Sequence, residues 1–225
     1  MKYLLTAVMA ISLFAAACED PAANKAKATV SEPSANASNT AANTSNTATA
    51  TAPAAVKGEG LAINGENSKV EFTGSKVTGK HEGGFKTFTG TIDLVNNNPA
   101  ESSVTVDIET ASVFADDEKL TGHLKSKDFF EVEKFPKATF KSTKIEADAA
   151  KGADAYTVTG DFNLHGVTKS ISFPATIQAG ADAVEVNAEF AINRKDFGIV
   201  YAGQADNLIN DNVVIKLTLK APRKK

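Results

Sequence analysis

The sequence predicts a mainly β protein, a closed or nearly closed eight-stranded antiparallel barrel with one short helix between its third and fourth strands. Three observations carry that prediction. From residue 58 onward, apolar side chains recur at period two in eight separate runs, with Lys, Thr, Asp, Glu or Ser on the opposite face, as antiparallel strands with one wet face require. Gly90 and Gly160 fall mid-strand on the apolar face, where they weaken a flat sheet and permit sharp curvature. The stretch 116–140, DDEKLTGHLKSKDFFEVEKFPKATF, replaces the β pattern with a helical one. Closure removes exposed edges, and eight strands leave an interior that side chains fill or that holds one small ligand. A two-sheet sandwich is the rival arrangement.

In chain order, residues 1–18 read MKYLLTAVMAISLFAAAC, with one basic residue, an apolar run too short to span a bilayer, and small residues at the end. That is an export signal. Ala15, Ala16, Ala17 and Cys18 resemble a lipoprotein lipobox, in which Cys18 carries the lipid; an ordinary A-x-A cleavage site is the alternative. Cys18 is the only cysteine of the chain, so no internal disulfide is available. Residues 19–57 hold Ala, Asn, Thr, Ser and Pro and no aromatic residue. This composition is expected to form a disordered tether that holds the domain about 35 Å from its anchor. Residues 58–222 form the barrel.

Within it, Val70 and Phe72 open the first run, and KTFTGTIDL and SVTVDIET follow with Phe88, Ile92, Val106 and Ile108 in phase. The helix comes next, with Asp116 or Asp117 as its N-cap, Leu120 and Leu124 on one face, and Pro136 barring its continuation. The runs KATFKST, YTVTGDFNL, VTKSISFPATI, AVEVNAEFAIN and VVIKLTLK complete the eight. His165-Gly166 reads as a two-residue hairpin turn that pairs Leu164 with Val167 and sets the register behind them.

Composition narrows the function. A net charge of −3 with acids and bases intermixed offers no face for nucleic acid. With 13 Phe, 3 Tyr and no Trp, a Phe-lined core or cavity is the natural reading. There is no nucleophile elbow, phosphate loop or dinucleotide fingerprint. His81, His123 and His165 lack short-range ligand spacing, so neither metal nor cofactor is expected. Lys169 and Arg194 share the phase of apolar faces and must lie near a rim. Each is expected either in a rim salt bridge, with Asp128 or Asp196, or at the polar end of a ligand.

Four stretches go further. SKVEFTGSKVTGKHEGGFKTFTGTIDL, KLTGHLKSKDFFEVEKFPKATFKST, YTVTGDFNLHGVTKSISFPA and INRKDFGIVY resemble, in order, the motifs of the YceI-like family, over about residues 61–219. The resemblance implies a lipocalin-like barrel with a polyisoprenoid or other long-chain lipid in a central tunnel. Family members are usually free periplasmic proteins, so a lipid anchor is a departure.

The leading expectation is non-catalytic binding of a long apolar chain by an exported protein, anchored through Cys18 to a bacterial membrane, outer or periplasm-facing. Strand phase assigns Phe88, Ile92, Val106, Ile108, Phe140, Phe162, Phe173, Phe190 and Ile192 to the lining and Phe129 to the cap. His123, Lys169 and Arg194 are placed at a polar mouth. Two alternatives stay open: an enzyme acting on a lipid-like substrate with His123 or His165 as acid or base, and a solid-core structural module. Self-association as a homodimer also stays open.

Overall fold

A computed structural model describes residues 20–33 and 58–223. In chain order the strands are β1 (Thr29–Ser31), β2 (Glu59–Asn64), β3 (Lys69–Lys76), β4 (Gly79–Phe85), β5 (Phe88–Leu94), β6 (Ser103–Glu109) and β7 (Val113–Ala115). Helix α1 (Glu118–Lys125) follows, then β8 (Lys137–Ala147), β9 (Ala155–Leu164), β10 (Val167–Ala179), β11 (Ala183–Asn193), β12 (Gly203–Gln204), β13 (Asn207–Leu208) and β14 (Asn212–Pro222).

The early strands are halves of longer staves. β5 pairs with β2 on one side and β6 on the other, while β4, two residues upstream, pairs with β3 and β7. β2–β3, β4–β5 and β6–β7 are therefore three kinked staves lying side by side. The kinks are stitched together: the Lys86 amide donates to the Ser112 carbonyl (3.2 Å) and the Glu109 amide to the Thr87 carbonyl (3.0 Å). Buried Thr110 sits at the kink between β6 and β7 and donates its hydroxyl to the Phe135 carbonyl (2.7 Å). With β8, β9, β10, β11 and β14 the staves number eight, and pairing of β14 with β3 closes the ring. The fold class is the one the sequence predicts, a lipocalin-like antiparallel barrel with one helix.

The central hairpin has the predicted register: Leu164 pairs with Val167, Phe162 with Lys169, Gly160 with Ile171 and Val158 with Phe173. His165 and Gly166 have φ of 53° and 76°, so both central residues are left-handed, as a tight turn between right-twisted strands demands. Gly160 sits opposite Ser142, where β8 carries a register shift, and a Cβ there would lie 2.5 Å from the ring of Phe140. The missing side chain lets that ring lie flat against the wall. At the helix, Asp117 is the N-cap and accepts from the Leu120 amide at 2.7 Å.

One expectation is overturned. The segment 20–33, assigned to a disordered tether, is folded against the barrel. β10 and β11 pair only through Thr176–Ala179 and then part. Into that parting β1 inserts, opposite Ser170, Ile171 and Ser172 of β10. On the other side the Ala28 amide donates to the Ala191 carbonyl and the Ala191 amide to the Ala26 carbonyl, both at 2.8 Å. Ala28 and Val30 pack on the core, and Ala22, 1% exposed, lies with Ala191 and Val214. Ion pairs of Lys25 with Glu189 (2.9 Å) and of Glu32 with Lys169 hold its flanks. Lack of aromatic residues misleads here because the segment docks mainly through backbone hydrogen bonds, for which small side chains suffice. Residues 34–57 of the expected tether, and the expected signal at 1–18, lie outside the described residues.

Candidate ligand cavity

Period-two alternation turns one row of each stave inward, and these rows leave space between them. They enclose a cavity of about 460 Å³, within the range of small-molecule sites. It runs from the helix end of the barrel, where Leu120, Leu124, Tyr201 and Ile209 reach it, to the far end at Pro99, Ser102, Ile177 and Leu219. The solid-core alternative does not fit this interior. Mid-strand Phe140 and Phe162 are only half-buried although they face inward, because they border the cavity.

Two aromatic groups shape the space. Phe173 stacks on Phe190 with centroids 4.1 Å apart and 12° between planes, and Phe140 tilts against Phe173 at 5.7 Å. Nearer the helix, Phe85 meets Phe72 at 6.1 Å and Phe130 at 5.5 Å. Leu120, Leu124, Phe129 and Phe130 all border the cavity, so α1 and the turn after it roof one end.

Of the side chains assigned to the lining, Ile92, Val106, Ile108, Phe129, Phe140, Phe162, Phe173, Phe190 and Ile192 border the cavity. Phe88 does not. It is 3% exposed and follows the kink in its stave, with its ring edge toward the turn at Gly65. Phe72, Phe85, Tyr201 and Ile209 border the cavity without having been assigned to it. Phe72 was legible in strand phase, whereas Tyr201 and Ile209 lie in the segment 199–211, which has no periodic signal.

The polar mouth divides three ways. Lys169 lies outside the lining, drawn to Glu32 of the inserted segment rather than to Asp128 or Asp196. Arg194 borders the cavity and is 4% exposed, but its guanidinium is occupied. It donates to the carbonyls of Ile199 (2.7 Å), Asn210 (3.1 Å) and Ile209 (3.4 Å) and pairs with Asp211 at 3.3 Å. Burial lowers its pKa and the Asp211 charge partly opposes that. Arg194 therefore pins the segment 199–211 across the barrel end. His123 borders the cavity, wedged edge-on against Phe129 (5.0 Å) and Tyr201 (5.1 Å), with Nε2 2.8 Å from Asp128 Oδ2.

Of the other two histidines, His81 also borders the cavity and His165 does not. His81 Nδ1 lies 2.9 Å from Asp116 Oδ1. Burial disfavours the charged carboxylate of Asp116, but hydrogen bonds from the Glu82 amide, His81 and its own amide, together with the His81 charge, bring its pKa below the ordinary aspartate value. His165 lies in the hairpin turn with its ring 4.6 Å from Phe135 and is not in the lining, which removes it as an acid or base acting in the cavity. Among the described residues no group of three His, Cys, Asp or Glu is placed to hold a metal ion.

A closed antiparallel barrel around an elongated apolar cavity, roofed by one helix, defines a lipocalin-like binding fold. The chain belongs to the YceI-like family: the YceI-like domain matches residues 61–221. A UPF0312 protein of Pseudomonas putida (strain W619) is 34% identical over 140 residues, 60% of this chain and 71% of the relative. BcnA of Burkholderia cenocepacia superposes with a TM-score of 0.61 at 25% identity, over 71% of this chain and 99% of its own. A polyisoprenoid binding domain from Saccharophagus degradans has a TM-score of 0.57 at 19% identity, over 73% of this chain and 99% of its own, a likeness of fold.

Proposed function

We infer that this protein binds one long apolar chain, a polyisoprenoid or fatty-acid-like lipid, inside its barrel without transforming it. The observation that carries this reading is the cavity itself, elongated and walled by Phe, Ile, Leu and Val along its middle. Of its charged or basic neighbours, Lys76, His81, His123 and Arg194 lie toward the helix end, and Glu71 of β3 is the one other. Each buried CH₂ contributes about 0.8 kcal/mol, so a dozen supply roughly 10 kcal/mol before ordering costs. Few polar contacts are then needed, consistent with a guanidinium already spent on backbone carbonyls. The name of the Saccharophagus domain, which shares the fold, supports a polyisoprenoid as the first ligand to test.

The same reading takes the protein as exported and anchored through a lipid on Cys18, at the outer membrane or facing the periplasm. Native mass spectrometry of gently purified protein tests the binding: an added mass matching a lipid, lost on extraction and regained with a polyprenyl lipid, is expected. A barrel recovered empty that takes up neither polyprenyl lipid nor long-chain fatty acid would overturn it.

A further inference from the structure

The inserted N-terminal segment fixes more than the wall. Asp20 begins it, and its Oδ1 lies 3.3 Å from the hydroxyl of Ser75, which is 5% exposed and borders the cavity at the helix end. The same hydroxyl accepts from the side-chain amide of Asn210 at 2.9 Å, and the Asn210 amide donates to the Ser75 carbonyl at 2.9 Å. Cys18 precedes Asp20 by two residues, a reach of about 7 Å when fully extended. Any group on Cys18 is thus kept beside this rim, whatever the length of the chain between 33 and 58.

The same rim carries the large apolar side chains that are most exposed among the described residues: Val77 (63%), Val200 (65%) and Leu208 (48%). Val77 follows Ser75 by two residues and donates its amide to the Leu208 carbonyl at 3.1 Å, and the Ile209 amide donates to the Ala202 carbonyl at 2.9 Å. The three side chains therefore sit on adjoining strands and turns. Each is also next in sequence to a residue that borders the cavity: Lys76, Ile199 and Tyr201, and Asn207 and Ile209. No counterpart to this patch occurs at the far end among the described residues.

We propose that the helix-end rim, through Val77, Val200 and Leu208, is a docking surface for a lipid bilayer, so that the roofed end of the barrel faces the membrane to which Cys18 is attached. This rests on the reading of Cys18 as lipid-modified. It gives the apolar rim a covering and sets the roofed end of the cavity against the phase in which long apolar chains are dissolved. Acidic and basic side chains both occur around the rim, among them Lys76, Lys80, Asp206 and Asp211, so the contact is apolar and depends little on anionic lipid.

The test uses the full chain with its native Cys18 modification, in phosphatidylethanolamine and phosphatidylglycerol vesicles. Two variants, Asp206→Cys at the rim and Asp182→Cys in the far-end turn, each add one free thiol beside the blocked Cys18 and carry an environment-sensitive fluorophore on it. A blue-shifted probe at 206, shielded from an aqueous quencher, with a fully quenched probe at 182, is expected. Equal quenching at both positions, or shielding at 182, would overturn the proposal. Intact mass decides the anchor separately. If Cys18 proves unmodified, the anchor reading fails, and vesicle partitioning of the unmodified chain judges the rim alone. There the variant V77D/V200D/L208D, checked for an unchanged melting temperature, is expected to bind at least about tenfold less than the parent. No difference between them, or no binding by the parent, refutes the docking surface.

Discussion

Arg194 is the residue on which the roof of the cavity depends. Its planar fork serves three carbonyls of the segment 199–211 together with Asp211, a geometry that a lysine ammonium does not reproduce. Arg194→Met should leave those buried acceptors unpaired and lower unfolding stability by about 2–4 kcal/mol, with Arg194→Lys recovering only part of it; urea denaturation measures both. Asp116 makes a prediction in pH. Because its folded pKa is lowered, its contribution to stability is present above the unfolded value, near 3.8, and is lost as the pH falls through the folded value. Asp116→Asn should therefore flatten the stability profile below about pH 4. A wild-type profile no steeper than the variant's in that acid window would refute the assignment. Individual residues were legible where strand phase alone decides their direction, as for Ile92, Phe173 and Phe190. Phe88 and Lys169 were not. The first depends on a kink and the second on Glu32, which is 137 positions away.

The elements were read unevenly for physical reasons. The β9–β10 hairpin was fully legible because a two-residue turn fixes its register locally. β4, with the sequence GKHEGGF, has glycines where a strand pattern needs apolar residues; a Cβ on Gly83 would lie 2.3 Å from the Phe114 carbonyl, so close stave packing removed the signal. β1 was missed although Ala26, Ala28 and Val30 alternate, since three short strand residues carry little weight amid Ala, Thr and Asn. Its contribution can be measured. Ala28→Pro removes the donor to Ala191 and should raise amide exchange at Ala191 and at Ser170–Ser172 by about tenfold or more, the equivalent of one lost hydrogen bond. Exchange should be unchanged in β9. Unaltered exchange at the seam would show that β1 does not hold it.

For the whole molecule, the cavity sets the size of what is bound. Ala138 is 1% exposed and borders the cavity. Ala138→Phe should shorten the longest chain retained, as read by native mass spectrometry across a series of alkyl lengths. Overpacking costs about 1–3 kcal/mol, so the variant needs a matching melting curve. Retention of the same maximum length would place the chain elsewhere.

The inserted strand also orders events in time. Residues 26–31 are made first, yet their partners are Ser170–Ser172 and Ala191, so the seam can be completed only after β10 and β11 exist. Contacts of such sequence separation form slowly, and until they form β10 and β11 present bare edges that invite pairing with another chain. The intact chain passes through that interval each time it folds. Deleting residues 20–33 makes the interval permanent, and light scattering during refolding should then report aggregation that the intact chain escapes.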